Sequence, residues 1–314
     1  MKSRFTIGSR GSRLALWQAE WAKSALETAH PHLTFGIEII TTSGDTMKDA
    51  PLTIIGGQGV FIKELEDALI TGRIDFAVHS LKDLPTVVPD GLFVAAITVR
   101  EDARDALILR QNSGFETEHL ASLAPAAVVG TSSPRRFAQL KHLCRERPIK
   151  DLRGNIDTRL RKLDEGQYDA VILAAAGLRR LGWAKRIHSY LDLTEMLPAV
   201  GQGALGIETR SDDGNAISIV KILDHSQTRD ACTSERGFLR ALGGGCQLPI
   251  AGHASVKGDA LRLEGLVAEV NGETIIRDSI EGKACDAERL GTSLAERLLS
   301  KGAASLIDAG ISVT

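Results

Sequence analysis

The sequence predicts an α/β fold in more than one domain, and three observations lead to that prediction. The chain has 314 residues, which at about 100–200 residues per domain suggests two or three domains. Hydrophobic residues make up 43% and charged residues 25%, close to the average of globular proteins. Short apolar runs alternate with segments of helical periodicity, which indicates a mostly parallel sheet covered by helices.

Composition argues against several classes of partner. The chain has 38 Lys+Arg against 40 Asp+Glu, a net charge of −2, and only 4% aromatic residues. These values give no general reason to expect nucleic acid or an anionic membrane as a partner. No apolar run reaches the length of about 18 residues that a membrane span needs, and the N-terminus lacks the apolar run of a secretory signal. We therefore expect a cytoplasmic protein with no nucleic-acid and no membrane partner.

The first hundred residues show this alternation most clearly. Strands are predicted at 5–7, 37–41 and 75–79, and helices at 14–29 and 61–71. Residues 44–60 interrupt the rhythm with four glycines. A loop of this length is usually either a functional lid or disordered, and we predict a lid.

Two further series of elements follow. Strands are predicted at 127–130, 170–174 and 204–209, and helices at 134–143, 156–163 and 175–181. From about residue 226 we predict a helix at 229–242, strands near 250–256, 261–268 and 274–280, and a last helix at 287–301. The glycine motif at 201–206 matches G-x-G-x-x-G, but a strand is expected after it instead of the helix that a dinucleotide site needs. A crossover between domains is the better interpretation.

An anion site is predicted at Thr131-Ser132-Ser133-Pro134-Arg135-Arg136. A strand ends before this segment and a helix begins at the proline. Hydroxyls, free N–H groups and two arginines therefore meet at the positive end of a helix dipole. The alternative is an ordinary helix cap with solvated arginines.

Further cations stand near strand ends or helix starts, where an open parallel sheet lines a crevice. They are Arg153, Arg159 and Arg180 in the second half, and Arg10 and Lys82, with the hydroxyls of Ser12 and Ser80, in the first half. Residues 131–186 carry 14 Lys+Arg against six Asp+Glu, a local excess of eight positive charges. We interpret the pattern as a cleft for a polyanion; independent surface salt bridges are the alternative.

Two residues in this setting suggest chemistry. Asp83 follows a predicted strand amid positive charge and would stay ionised, ready to stabilise a cationic intermediate or move a proton. A simple Lys82–Asp83 pair at a helix start is the alternative. Cys246 follows Gly243-Gly244-Gly245, which suits a covalently modified thiol, although this segment by itself favours an inert thiol in a turn. The four cysteines show neither a disulfide framework nor zinc spacing, so we predict no metal.

Together these motifs resemble the porphobilinogen deaminase family over essentially the whole chain. The segments that carry the resemblance are 10–19, 61–65, 77–85, 130–136, 152–155, 197–203 and 243–249. The resemblance implies two lobes like those of type II periplasmic binding proteins and a smaller α/β C-terminal domain. We expect domain 1 at 1–99 and 204–222, domain 2 at 105–198 and domain 3 at 226–314. Domain 1 is discontinuous because the strand after Gly203 would return to it.

The resemblance also implies an activity. Such an enzyme is a transferase of tetrapyrrole and haem biosynthesis, also called hydroxymethylbilane synthase. It joins four porphobilinogen molecules head to tail with loss of ammonia, and water releases hydroxymethylbilane. The family's cofactor is a dipyrromethane, which would be bound here as a thioether on Cys246. A non-catalytic anion-binding module and a phosphate-ester enzyme are the rival hypotheses, and the chain lacks the P-loop motif of many phosphate-ester enzymes.

By the same resemblance, each residue that matches a family motif receives a role. Asp83 would be catalytic and would contact the cofactor's pyrrole nitrogens. The cofactor's carboxylates would be bound by Ser80, Lys82, Thr131, Ser133, Arg135 and Arg136. Porphobilinogen and the growing chain would be bound by Arg10, Ser12, Arg153, Arg159 and Arg180.

The lid carries the main departure from the family pattern. The family commonly has Gly-Gly-Lys-Gly in the lid, whereas this chain has Gln58 in place of the lysine. A glutamine hydrogen-bonds but forms no ion pair, so we expect a weaker electrostatic latch. Phe61, just after the lid, would pack on a pyrrole ring.

The sequence shows no obvious row of apolar residues that would form a subunit interface, which favours a monomer.

Overall fold

The computed structural model describes residues 2–43, 62–111, 119–245 and 247–313. The predicted lid with Gln58 lies outside the described residues, as do Phe61 and Cys246. The chain forms two compact units. Unit 1 comprises Met1–Glu101 and Ala204–Arg229, and unit 2 comprises Asp102–Gly203 and Asp230–Thr314. The C-terminal residues thus cluster with the second unit, so the division into three domains with the boundaries given above stays a prediction.

Unit 1 contains a five-stranded sheet in the order β2-β1-β3-β10-β4. Strand β10 runs antiparallel to both of its neighbours, whereas β1 runs parallel to β2 and to β3. The chain therefore returns to unit 1 as a strand inserted between β3 and β4. The strands are β1 (Arg4–Ser9), β2 (Thr34–Ile39), β3 (Phe76–Ser80), β4 (Leu92–Ile97) and β10 (Leu205–Arg210). The helices are α1 (Arg13–Ala29), α2 (Lys63–Ile70) and α6 (Gly214–Val220).

Three phenylalanines form the centre of the unit 1 core. Phe5 of β1 stacks on Phe35 of β2 and on Phe76 of β3, with ring centroids 5.9 Å and 5.6 Å apart. All three are buried, and Ala19 and Leu26 of α1 belong to the same apolar cluster. These contacts hold α1 on one face of the sheet and thereby set the positions of the strand ends.

Unit 2 contains a second five-stranded sheet with the same plan, in the order β7-β6-β8-β5-β9. Strand β5 is the one that runs antiparallel to its neighbours. The strands are β5 (Asp105–Leu109), β6 (Val129–Gly130), β7 (Ile149–Lys150), β8 (Ala170–Ala174) and β9 (Ser189–Tyr190). The helices are α3 (Pro134–Leu143), α4 (Ile156–Asp164) and α5 (Ala175–Arg180).

The C-terminal part of unit 2 forms a separate antiparallel sheet of three strands with its own core. Phe238 of a long helix and Leu290 and Leu294 of a second helix pack against this sheet. The elements are α7 (Ser226–Ala241), β11 (Ile250–Lys257), β12 (Ala260–Ala268), β13 (Ile275–Lys283), α8 (Ala287–Leu298) and α9 (Ala304–Val313). No described helix is both long and apolar enough to cross a membrane.

The predicted α/β class is confirmed, and most predicted elements are present. Four of the five strands in each large sheet share one direction, as a mostly parallel sheet requires. The strand predicted at 37–41 instead spans Thr34–Ile39, because its ladder with β1 begins at Thr34. The helix predicted at 287–301 ends at Leu298 as α8, before a π-type segment in which Gly302 has a φ of 102°, and a further helix, α9, follows it. A strand follows Gly203 in place of the helix that a dinucleotide site needs, and the chain passes from unit 2 to unit 1 between Gly203 and Ala204.

Candidate functional site

One edge of the first sheet carries four of the predicted polar residues. Strands β1 and β3 pair in parallel, so their carboxyl ends meet at the same edge. Arg10 follows β1, Ser12 caps α1, Ser80 ends β3, and Lys82 lies in the turn after it. The sheet topology therefore gathers residues that are about 70 positions apart in sequence.

The two serines of this edge have partners within unit 1. The Ser12 Oγ accepts a hydrogen bond from the Ala15 N–H at 3.2 Å, which makes Ser12 the N-cap of α1. The Gln18 side-chain amide donates to the Ser80 Oγ at 2.9 Å. These bonds fix both hydroxyls at the helix start and the strand end, and the binding of substrate or cofactor by them stays a prediction.

Asp83 lies in a short 3₁₀ turn, Leu81–Asp83, that follows β3 directly. Leu81 and Leu84 are buried and anchor the turn, and the Leu81 N–H donates to the carbonyl of Ala204 at 3.0 Å. Lys82 is half-buried and Asp83 is exposed. The fold thus holds the Asp83 carboxylate at the surface of unit 1 on an anchored backbone, where it can meet a cation or exchange a proton.

In unit 2, the predicted anion segment starts helix α3 as expected. Ser133 is the N-cap, its Oγ accepts from the Arg136 N–H at 3.5 Å, and Pro134 occupies the first turn. The Thr131 Oγ1 accepts from the Ser133 N–H at 3.2 Å, and Thr131 is buried. Hydroxyls therefore surround the positive end of the α3 dipole.

The two arginines of this segment are buried, which rules out the alternative of solvated arginines. Arg135 and Arg136 are 5% and 6% exposed. Both form ion pairs with Asp105, at 2.7 Å from Arg135 and 2.8 Å from Arg136. Burial alone would raise the pKa of Asp105, but the two guanidinium groups outweigh it and hold the pKa far below its usual range. Binding of a ligand by these two arginines stays a prediction.

The other predicted arginines lie in turns and at helix ends of unit 2. The Arg159 Nε donates to the carbonyl of Gly154 at 2.7 Å. Gly154 has a φ of 108°, and a Cβ there would lie 2.7 Å from the Thr158 methyl group, so this turn requires glycine. Arg153 precedes that glycine and is half-buried. Arg180 ends α5 and donates to the carbonyl of Gly203 at 2.6 Å.

The loop before Cys246 has a structural reason for its first two glycines. Gly243 has a φ of 64° and lies just after the end of helix α7, and the Gly244 N–H donates to the Leu239 carbonyl at 3.1 Å. A Cβ on Gly244 would lie 2.4 Å from the Ile250 side chain. Among the other cysteines, Cys232 is buried, Cys144 is half-buried and Cys285 is exposed. No cluster of His, Cys, Asp and Glu suited to a metal occurs among the described residues.

Sequence reasoning missed Asp105 and Gln202. Asp105 ends the charged run 100–105, which resembles a linker, and the strand that it begins was not predicted. The Gln202 side-chain amide donates to Asp105 at 2.9 Å. The one available signal was a charged residue placed directly before the apolar run Ala106-Leu107-Ile108-Leu109.

Comparison with known proteins identifies the family. Residues 5–218 match the model described as "Porphobilinogen deaminase, dipyromethane cofactor binding domain", and residues 230–300 match that family's C-terminal domain. Porphobilinogen deaminase of Nostoc sp. is 49% identical over 302 residues, which cover 96% of this chain and 93% of that protein. The Gloeobacter violaceus protein of the same name is 49% identical over 310 residues, covering 98% and 94%.

Similarity to the solved structures is weaker. The BvgS VFT2 domain of Bordetella pertussis is 17% identical, with a TM-score of 0.42 over 70% of this chain and 85% of that domain. An ancestral cationic amino acid solute binding protein is 13% identical, with a TM-score of 0.44 over 70% and 88%. TM-scores this low support no conclusion. The sequence matches do, since both family domains occur in order and the relatives align along nearly their whole length: the chain belongs to the porphobilinogen deaminase family.

Proposed function

We propose that this chain is a hydroxymethylbilane synthase. It joins four porphobilinogen molecules head to tail with loss of ammonia and then releases hydroxymethylbilane by hydrolysis. Two observations carry the proposal: the chain matches the models of both family domains, and it is 49% identical to the Nostoc porphobilinogen deaminase over 96% of its length. This reaction makes the protein a transferase of tetrapyrrole biosynthesis.

The residues present fit a dipyrromethane cofactor. Its acetate and propionate groups need hydrogen-bond donors and positive charge. Such donors stand at the end of β3 and at the start of α3, and they comprise Ser80, Lys82, Thr131, Ser133, Arg135 and Arg136. Cys246 would hold the cofactor as a thioether. When bound, the dipyrromethane supplies the pyrrole carbon to which the first substrate unit is joined.

Five further residues are assigned to substrate and growing chain. Each pyrrole unit brings two carboxylates, so the demand for cations grows with every addition. Arg10 and Ser12 follow β1, and Arg153, Arg159 and Arg180 lie in a turn and on two helices of unit 2. The excess of eight positive charges over residues 131–186 supports this assignment.

Asp83 is assigned to the chemical step. Loss of ammonia leaves a positive charge on the porphobilinogen unit, and a nearby carboxylate stabilises such charge. The same carboxylate can accept the proton that is lost when the new bond forms. The exposed side chain on an anchored turn supports the role, because a fixed backbone limits the motion of the carboxylate.

Intact-protein mass spectrometry tests the cofactor. We expect the purified chain to carry the added mass of one dipyrromethane, and the Cys246→Ser variant to lose it. The control is Cys285→Ser, since Cys285 is an exposed free thiol and its loss should leave the added mass in place. An active chain without any added mass would overturn the assignment.

Turnover measurements test Asp83. The Asp83→Asn variant should retain the added mass and lose turnover by about 10²–10⁴-fold, the usual contribution of a general acid or base. Asp90→Asn is the matched control, an exposed aspartate of the next loop. Near wild-type turnover in Asp83→Asn would remove the residue from the chemical step. Loss of cofactor and turnover together would make Asp83 a binding residue only.

The rival functions make different predictions. A non-catalytic anion-binding module would release no ammonia from porphobilinogen, and a phosphate-ester enzyme would act on phosphate esters instead.

We also propose that the protein is cytoplasmic and monomeric. Cell fractionation can check the localisation, and light scattering can check the oligomeric state. We propose that Gln58 binds ligand carboxylates more weakly than the family's lysine would, because it forms no ion pair. We also propose that Phe61 packs on a pyrrole ring. Unchanged elongation rates and lid mobility in Gln58→Lys would contradict the latch.

A further inference from the structure

Asp105 is the centre of a buried hydrogen-bond cluster in unit 2. It is the first residue of β5 and is fully buried. Its Oδ1 accepts from the Arg136 Nε at 3.1 Å, the Arg136 Nη2 at 2.8 Å and the Gln202 Nε2 at 2.9 Å. Its Oδ2 accepts from the Arg135 Nη1 at 2.7 Å. Both carboxylate oxygens are therefore satisfied by side chains that come from elsewhere in the sequence.

Backbone carbonyls hold the donors of this cluster in place. The Arg135 Nη1 also donates to the Leu197 carbonyl at 2.8 Å, and the Arg136 Nη1 to the Ile172 carbonyl at 3.1 Å. The Gln202 Nε2 donates to the Ala103 carbonyl at 2.7 Å as well. Moving either guanidinium group would break several bonds at once, so the cluster is rigid.

The cluster carries more positive than negative charge. Two guanidinium groups face one carboxylate, and among the described residues no second acidic side chain forms an ion pair with either arginine. The buried cluster therefore has a net charge of +1. A buried charge without a counter-charge lowers the stability of the fold. A second anion would complete the cluster.

The arginines lie at the N-terminal end of a helix, where an anion is favoured. They occupy the first turn of α3, a helix of ten residues, beside the Ser133 cap and the Thr131 hydroxyl. The dipole of α3 adds positive potential at this end. A carboxylate that reached the arginines would therefore also meet the hydroxyls and the helix start.

We propose that Asp105 is a positioning residue that fixes Arg135 and Arg136 and leaves their cluster one negative charge short, so that it receives one ligand carboxylate. The inference rests on the proposed function for the identity of that ligand. The geometry of the cluster itself does not depend on the ligand. Asp105 acts through the two arginines and has no contact with substrate assigned to it.

Stabilisation by a small anion tests the proposal on the purified full chain. The probe is acetate against chloride at equal ionic strength and pH 7.5, with the thermal midpoint as the readout. Asp105→Asn leaves two buried cations without a counter-charge, so acetate should raise its midpoint by at least about 4 °C more than that of the wild type. The control is Asp169→Asn, which loses a carboxylate paired with Arg110 in the same unit. Its acetate response should equal that of the wild type.

A response of Asp105→Asn no larger than that of the control would overturn the proposal, since Asp105 would then be structural only. If the single variant does not fold, the double variant Asp105→Asn with Arg136→Gln decides. It returns the cluster to one excess positive charge, so it should fold and respond to acetate like the wild type. A double variant that also fails to fold would overturn the proposal. Absence of the dipyrromethane mass from the wild type would reject the proposed function alone, because the acetate response needs no cofactor.

Discussion

The two five-stranded sheets share one strand order, but the buried carboxylate on the inserted strand of each sheet has different partners. Each sheet contains one antiparallel inserted strand, β10 in unit 1 and β5 in unit 2. Each inserted strand carries a fully buried carboxylate, Glu208 in unit 1 and Asp105 in unit 2. In unit 2 that carboxylate is bound by arginines, whereas in unit 1 a histidine and a second glutamate stand beside it.

The acidic cluster of unit 1 is poorly satisfied. The His79 Nε2 lies 3.3 Å from the Glu208 Oε2, and both side chains are buried. Neither oxygen of Glu208 has a hydrogen-bond partner among the described residues. Burial raises the pKa of Glu66, which faces the pair from α2; the Glu208 charge raises it further, while His79 opposes the shift.

Strand order alone therefore does not decide the role of a buried carboxylate. Because two arginines bind it, Asp105 is part of a rigid cluster that carries one excess positive charge. With His79 and Glu66 beside it, Glu208 lies in a cluster where its charge adds to burial in raising the pKa of Glu66. Side chains from neighbouring elements set the outcome.

Removing the buried carboxylate of each unit should give the largest difference in stability between the two clusters. Asp105→Asn should lower the free energy of unfolding by about 3–5 kcal/mol, because it leaves buried cations unpaired. Glu208→Gln should change it by less than about 1 kcal/mol, since the oxygens of Glu208 make no hydrogen bond that would be lost. Urea denaturation of both variants measures the difference. Equal losses would show that the two clusters are energetically alike.

The pH dependence of stability should differ in sign between the clusters. The raised pKa of Glu66 contributes stability that is complete below the ordinary glutamate value of about 4.3, and that is lost as pH rises through the folded value. The lowered pKa of Asp105 contributes stability that is present above the ordinary aspartate value and is lost as pH falls. As the pH rises above about 4.3, therefore, only the Glu66 contribution of the two should change.

Glu66→Gln isolates that contribution. Its free energy of unfolding, relative to the wild type, should increase as the pH is raised above about 4.3, with a slope of at most about 1.4 kcal/mol per pH unit. Urea denaturation at several pH values measures the slope. Glu20→Gln, at an exposed position of α1, is the control and should show a constant difference. If the difference in free energy of unfolding between Glu66→Gln and the wild type is also independent of pH, Glu66 does not have a raised pKa in the folded protein.

The smallest contrast concerns neutral polar groups near the two carboxylates. Gln202→Met removes donors to Asp105 and to the Ala103 carbonyl, and should cost about 1–3 kcal/mol. Thr209→Val should change stability by less than about 1 kcal/mol, because the buried Thr209 hydroxyl has no partner among the described residues. Thermal denaturation measures both. A larger loss for Thr209→Val would show that its hydroxyl is hydrogen-bonded in solution.

Elements whose signals lie in contiguous residues were the easiest to predict. Helix α3 spans Pro134–Leu143 and strand β8 spans Ala170–Ala174, both as expected. The proline in the first turn and the unbroken apolar run are local signals. Strands β4 and β5 were not predicted, because a short apolar run beside charged residues resembles a linker until its neighbours in the sheet are known.

The family, the α/β class, the start of α3 with its hydroxyl cap and paired arginines, and the glycine motif before β10 can all be predicted from adjacent residues, because these residues have strong local preferences. The burial of Arg135 and Arg136, and their cluster with Asp105 and Gln202, depend on the folded arrangement of the unit. Those contacts join residues from 30 to 97 positions apart. They exist because β5 enters the sheet beside β8, and that depends on packing across the unit and not on local periodicity.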